Sequence, residues 1–210
     1  MARVTGTPVP FIHPRRIDEI AAAARRRLAP SVRPDEKVDM VRVLEDLDGR
    51  LVKLPNGTTA TVKLAVEDLP KHVLGETRLV DDCIYVAMGS RPYMMLSHEG
   101  WARFTAAHEV GHVTMHAQTL MKLKTMSQYE AALARATASH KYDVDSENQA
   151  NNFAAAFLAP DEGLQMLQIS GKLRVAEVMK TFGMGRKAAT VRIENFLRRG
   201  DRTSGRRGGR

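Results

Sequence analysis

The chain has a single cysteine, Cys83, in 210 residues, which excludes any internal disulfide and points to a reducing compartment. No stretch approaches the roughly 18 uninterrupted apolar residues that a membrane-spanning helix needs. Met1 to Pro10 contains no apolar segment long enough for a secretory signal, so a cytoplasmic location and no membrane partner are expected. No internal repeat is visible. Cys83 itself lies in the apolar, strand-like run Cys83-Ile84-Tyr85-Val86-Ala87-Met88 and reads as a small buried hydrophobe. The length can bury a real core and suits one domain with an appendage better than two independent domains.

Acidic residues are outnumbered, 24 against 32 lysines and arginines, for a net charge of +8. The excess is concentrated at the end. Arg198 to Arg210 holds six arginines and one aspartate, and nothing apolar to bury. Residues 200–210 are therefore expected to be a disordered basic tail, able to make weak, salt-sensitive contact with nucleic acid or simply to aid solubility.

Residues 1–13 read as an irregular arm. Pro14 to Leu28 carries a helical face of Ile17, Ile20, Ala21, Ala24 and Leu28, with Arg25, Arg26 and Arg27 placed mostly around the other side. Val38, Val41, Leu44 and Leu47 predict a short second helix, closed by Gly49. Strand patterns follow: Leu51 to Leu54 and Thr58 to Val66 around a Pro55-Asn56-Gly57 turn, then Arg78 to Val80 and Cys83 to Met88 around Asp81-Asp82. Arg91 to Leu96 links to a long helix over about Glu99 to Leu120, and Gln128 to Ala138 suggests a further one.

The long helix contains His108-Glu109-Val110-Gly111-His112, an H-E-x-x-H pattern. Residues at i and i+4 share a helical face, so both imidazoles can reach one metal ion at about 2.1 Å. Glu109, directly after the first histidine, is placed to take a proton from water at that ion rather than to bind it. Thirty-five residues after His112 comes Glu147-Asn148-Gln149-Ala150-Asn151-Asn152-Phe153-Ala154-Ala155-Ala156-Phe157-Leu158-Ala159-Pro160. Ala150, Phe153, Ala154, Phe157 and Leu158 make the buried face of a second helix that Pro160 ends. Glu147 in its first turn suits the helix dipole and could supply a third ligand. Asp143 and Asp145 are near enough to be alternatives. His116 continues the face of His108 and His112, but eight residues place it about 12 Å from His108, too far to share an ion. It reads as a supporting or packing residue. Gly111 reads as a place where a neighbour approaches closely.

The two segments HEVGH and ENQANNFAAAFLAP together resemble the ImmA/IrrE-type zinc metallopeptidases, with H-E-x-G-H followed by E-x-x-A-N-x-F-A. Arg103 to Ala107 before the motif and Gly75-Glu76-Thr77-Arg78 upstream look similar too, and the likeness runs over roughly residues 15–198. It implies His108, His112 and Glu147 as ligands of one Zn²⁺ per chain, and Glu109 as general base. Many relatives carry a second acid where this chain has Gln149. The fold expected is α+β: a zincin-like metallopeptidase domain over 14–160, with a small β-sheet, an active-site helix and helical N- and C-terminal additions. Residues 161–199 are expected to form a helical, helix-turn-helix-like segment packed on it. His140 and Tyr142 are candidates for stabilising the oxyanion, and the strand Cys83 to Met88 for the sheet edge that takes a peptide as an added strand. The resemblance further implies a regulatory protease whose protein substrate is a helix-turn-helix repressor, in stress response or mobile-element control.

Leu173 to Phe182 and Arg186 to Phe196, split by Gly183-Met184-Gly185, have a helix-turn-helix rhythm, with Arg186, Lys187 and Arg192 suited to phosphates. This keeps open a DNA-binding regulator with little proteolysis, or a toxin-associated interaction protein whose metal is structural.

Overall fold

The computed structural model describes residues 2–3, 9–53, 57, 59–125 and 145–204. The helix read at 128–138, the Pro55-Asn56 part of the turn, Asp143, His140, Tyr142 and residues 205–210 lie outside them.

Two capped helices open the fold. Helix α1, Pro14–Leu28, begins with proline at its first position, where the missing N–H costs no hydrogen bond, and His13 Nδ1 accepts from Arg15 N. Helix α2, Met40–Leu47, is capped by Asp39, whose Oδ1 accepts from the amides of Val41 and Arg42. Five strands form one sheet, one before these helices and four after them: β1 (Ala2–Arg3), β2 (Leu51–Lys53), β3 (Thr59–Glu67), β4 (Gly75–Val80) and β5 (Cys83–Gly89), in the order β1-β4-β5-β3-β2. Both expected hairpins form, β2 with β3 (Leu51 opposite Thr61) and β4 with β5 (Val80 opposite Cys83). Asp81 takes φ 53° in the tight turn of the second, a conformation aspartate tolerates.

After β3 the chain passes over one strand position to β4 and returns as β5 into the gap. β5 runs parallel to β3 from Thr61–Cys83 to Glu67–Gly89. It is therefore hydrogen-bonded on both sides and cannot receive an added strand. The expectation that Cys83 to Met88 forms the edge is wrong, because alternation within a strand does not reveal which strands flank it. The strand beside the histidine-bearing helix is β4, partnered on its outer side by β1 at Arg78 and Leu79.

The remaining helices are α3 (Ser90–Met94), α4 (Gly100–Thr125), α5 (Ser146–Leu158), α6 (Asp161–Ile169), α7 (Val175–Phe182) and α8 (Arg186–Ser204). Helix α4 packs across β4 on one side and against α5 on the other, while α1 covers α5. Phe153, Phe157, Ile17, Leu44, Ile84 and Leu96 anchor one continuous core between these layers. Gly111 sits where α5 touches α4: a Cβ there would lie 2.9 Å from Phe153 Cδ1. A side chain at 111 would have to push the Phe153 ring, and α5 with it, away from α4.

Three arginines are built into the interior. Arg25 donates to the carbonyls of Phe157, Leu158, Arg33 and Glu36, so it is buried rather than on the outer face of α1 as the sequence pattern suggests. Arg103 donates to Val38, Leu96, Phe182 and Gly183. Burial lowers both guanidinium pKa values to about 10, leaving them cationic at neutral pH. Arg192 donates to the Ala159 carbonyl and to Asp161 and Asp18. At 2% exposure it cannot serve as the phosphate contact expected of it. The bonds of Arg103 and Arg192 seat the C-terminal helices on the rest of the fold. Helix α8 continues to Ser204, several residues into the stretch expected to be disordered. Arginine is a good helix former, and cations near a helix C-terminus are favoured by its dipole. Among the described residues, no helix is long and apolar enough to cross a membrane.

Candidate metal centre

Helix α4 presents His108 and His112 one turn apart, and α5 brings Glu147 opposite them from its first turn. The two Nε2 atoms stand 2.9 Å apart, and each is 3.3 Å from a carboxylate oxygen of Glu147. One donor atom from each of the three residues lies within 4.8 Å of the others. A tetrahedral ion with bonds of about 2.1 Å separates its ligands by about 3.4 Å, close to this spacing. Glu147 Oε1 is buried and receives no hydrogen bond. Two imidazole nitrogens and an anionic oxygen facing one point are suited to a cation, and these residues could hold a metal ion.

The start of α5 also settles the role of Asp145. Its carboxylate accepts from the Glu147 amide and from Asn148 Nδ2, both at 3.0 Å, which makes it the helix N-cap. Asn151, one turn after Glu147, places Oδ1 3.0 Å from His108 Nδ1 and so can hold that ring with Nε2 turned to the shared point.

His116 takes no part in the triad, in keeping with the distance argument. Its Nδ1 lies 2.9 Å from His112 Nδ1, and its Nε2 lies 3.1 Å from Gln149 Oε1. Burial, with His112 alongside, lowers its pKa to about 4, so the ring is neutral near pH 7. Burial works against the charged forms of His108 and Glu147, but the charges facing them more than offset it. Burial pushes His108 down, yet Glu147 and Glu109 carry it above the ordinary imidazole value. Burial pushes Glu147 up, yet the facing His108 and His112 rings hold it well below the usual carboxylate range.

Glu109 is 4% exposed, and burial raises its pKa despite the neighbouring histidines. A carboxyl with raised proton affinity beside a metal position is equipped to accept a proton. It is held by Thr77 of β4, whose hydroxyl donates to Oε2 at 2.7 Å. Strand and helix come this close because of Gly75: a Cβ there would lie 3.0 Å from both Glu109 Cγ and Thr105 Cγ2. A cleft of about 430 Å³ opens over the triad, walled by His72, Val73 and Leu74 before β4 and by Phe104 of α4.

Sequence reading identified His108, Glu109, His112 and Glu147, and the structure brings all four together. It missed Thr77 and Asn151. Asn151 carried a signal, being four residues from Glu147 on the same helical face. Thr77 carried no periodic signal, since only the packing of β4 on α4 gives it a role.

A solved structure of a Mycobacterium tuberculosis transcriptional regulator aligns with 85% of this chain and 46% of its own length, at 18% identity and a TM-score of 0.47. This chain thus spans less than half of that one. No curated protein matches the sequence. Residues 96–194, which run from the loop before the histidine helix into the first half of α8, match the family model described as the IrrE N-terminal-like domain, Peptidase_M78. That match, with the helices of His108, His112 and Glu147 inside it, supports an ImmA/IrrE-type family over this part of the chain.

Proposed function

We propose that this protein is a zinc-dependent endopeptidase with a regulatory role. The observation that carries the reading is the convergence of His108, His112 and Glu147 donor atoms at the floor of an open cleft, with the Glu109 carboxylate beside them. Zinc, one ion per chain, would there polarise a scissile carbonyl and acidify the attacking water. Glu109 accepts the proton of that water and passes it to the leaving amine nitrogen. Thr77 occupies Oε2 and so leaves the other carboxylate oxygen for the transfer. Asn151 keeps His108 turned toward the ligand point. The substrate peptide lies along the Val73–Gly75 side of β4, where the chain passes over the triad. His140 and Tyr142 remain the proposed donors to the oxyanion.

The substrate class, a helix-turn-helix repressor cut in stress response or mobile-element control, is proposed from the family resemblance, as is action in the cytoplasm. Elemental analysis and peptide-bond cleavage of that repressor class, measured on the unmodified protein and on His108→Ala, test the reading. One zinc per chain and cleavage, both lost in the variant, are expected. A zinc-free but active protein would overturn it.

A second reading is a DNA-binding regulator or toxin-associated interaction protein that retains the metal site with little proteolysis. Arg186 and Lys187, exposed at the start of α8 after the Gly183 turn, favour it. Selective binding of one DNA sequence across a salt series, by protein lacking residues 205–210, would put it ahead.

A further inference from the structure

Beneath the triad runs a line of four groups on four different turns of the fold. His112 Nδ1 faces His116 Nδ1 at 2.9 Å, His116 Nε2 faces Gln149 Oε1 at 3.1 Å, and Gln149 Nε2 donates to the Pro10 carbonyl at 2.9 Å. The three side chains are each no more than 3% exposed, so water does not substitute for any link. Pro10 belongs to the arm before α1, more than a hundred residues away in sequence.

The geometry points to His116 and Gln149 as positioning residues that fix the ring of His112 and tie the N-terminal arm to the metal centre. This rests on the metal reading above. The direction of every hydrogen bond then follows from elementary valence. With Nε2 of His112 committed to the ion, its one proton is on Nδ1, which donates to His116 Nδ1. His116 must therefore carry its own proton on Nε2, which donates to Gln149 Oε1. That orients the Gln149 amide with its NH₂ toward Pro10, whose carbonyl can only accept. Each group is used in one sense, and the chain ends on a backbone oxygen that carries no net charge.

The identity of residue 149 matters to this scheme. A glutamate there accepts from His116 equally well, and by its charge would strengthen the bond. It cannot donate to Pro10, however, and its second oxygen would face that carbonyl with like partial charge. A leucine of similar size can do neither, and it leaves the buried His116 N–H without a partner. His116 is then free to take the other tautomer, with its proton on Nδ1 facing the proton of His112.

The test measures zinc affinity by competition with a chromophoric chelator, on the full chain, for the unmodified protein, Gln149→Leu and Gln149→Glu. Outer partners of metal-bound histidines typically govern about 10- to 100-fold in affinity, and Gln149→Leu should lose about that much. Gln149→Glu should restore affinity to within about threefold of the unmodified protein, while amide hydrogen exchange at Phe11 and Ile12 speeds up because the Pro10 link is gone. Nitrogen-15 spectra of the zinc-loaded unmodified protein should show His116 protonated at Nε2 and His112 at Nδ1. That measurement needs no variant, so it decides the matter if Gln149→Leu does not fold. His116 protonated at Nδ1, or a folded Gln149→Leu protein with unchanged zinc affinity, overturns the inference and leaves the zinc reading standing. An unmodified protein that takes up no zinc overturns both.

Discussion

The interior holds two sets of polar side chains that look alike by burial and differ in how their bonding capacity is used. Arg25, Arg103 and Arg192 spend their donors on backbone carbonyls and, for Arg192, on two aspartates. Their partners are the ends of helices and the loops between them. The histidine and glutamate set is arranged otherwise: after the bonds that hold the rings in place, two imidazole nitrogens and a carboxylate oxygen are still aimed at one another. Burying a polar group without a partner is costly, so a set left incomplete in this way marks a place for a ligand, whereas a completed set marks a joint of the scaffold.

The sharpest test of that contrast is Glu109→Gln. The amide has nearly the same volume and can still meet the Thr77 hydroxyl, but it cannot accept a proton. Peptidase activity on the true substrate should fall by about 10²- to 10⁴-fold, with zinc content and melting temperature little changed. Undiminished turnover by a zinc-loaded variant would break the assignment.

Arg103→Met probes the completed set. Four carbonyls lose a shared donor, and the unfolding free energy should drop by about 3 kcal/mol, with zinc stoichiometry kept. Denaturant melts with and without a chelator measure both. A variant that loses zinc while remaining folded would show that the two sets are not separable.

Within the metal set, Glu147→Ala should abolish stoichiometric zinc binding, and His116→Ala should weaken it by only about 10- to 100-fold. Chelator competition distinguishes the two, and equal losses would remove the distinction between ligand and support.

The smallest effect is expected at the end of the chain. Deleting residues 205–210 should alter stability by less than about 0.5 kcal/mol and reduce the salt dependence of any nucleic-acid binding. Extending the deletion through Arg199 should cost more, because that side chain pairs with Asp18 and Asp161. Melting curves of the two truncations make the comparison.

What could be read from the residues follows the same division. His108, His112 and Glu147 were legible because helical periodicity relates residues four apart, and a helix start places its own acid. Helix α1 came out with its expected ends for a similar reason, proline and the apolar repeat both being local signals. The burial of Arg25 was not legible, since an arginine beside an apolar stripe looks like a solvated flank until α5 and the loop after α1 deliver carbonyls to it. The interior position of β5 was hidden likewise. Parallel pairing with β3 joins residues 22 positions apart, and nothing in either strand announces its neighbour. Thr77 depended on that same sheet order. The contacts of β4 with α4 exist only once β5 has been slotted between β4 and β3.

The missing side chain at Gly111 has a consequence for precision. His108 and His112 stand on one helix and Glu147 on another, so the span an ion must bridge is the clearance between two rods, and the spacer that sets it is the edge of Phe153 against bare backbone. Interior packing of this kind yields little, so a coordination sphere formed there would inherit its dimensions from an aromatic ring in the core rather than from the reach of His108, His112 and Glu147 themselves. Shaving or thickening that spacer, as in Phe153→Leu or Gly111→Ala, would retune the preferred ion size at a centre where no ligating atom had been changed.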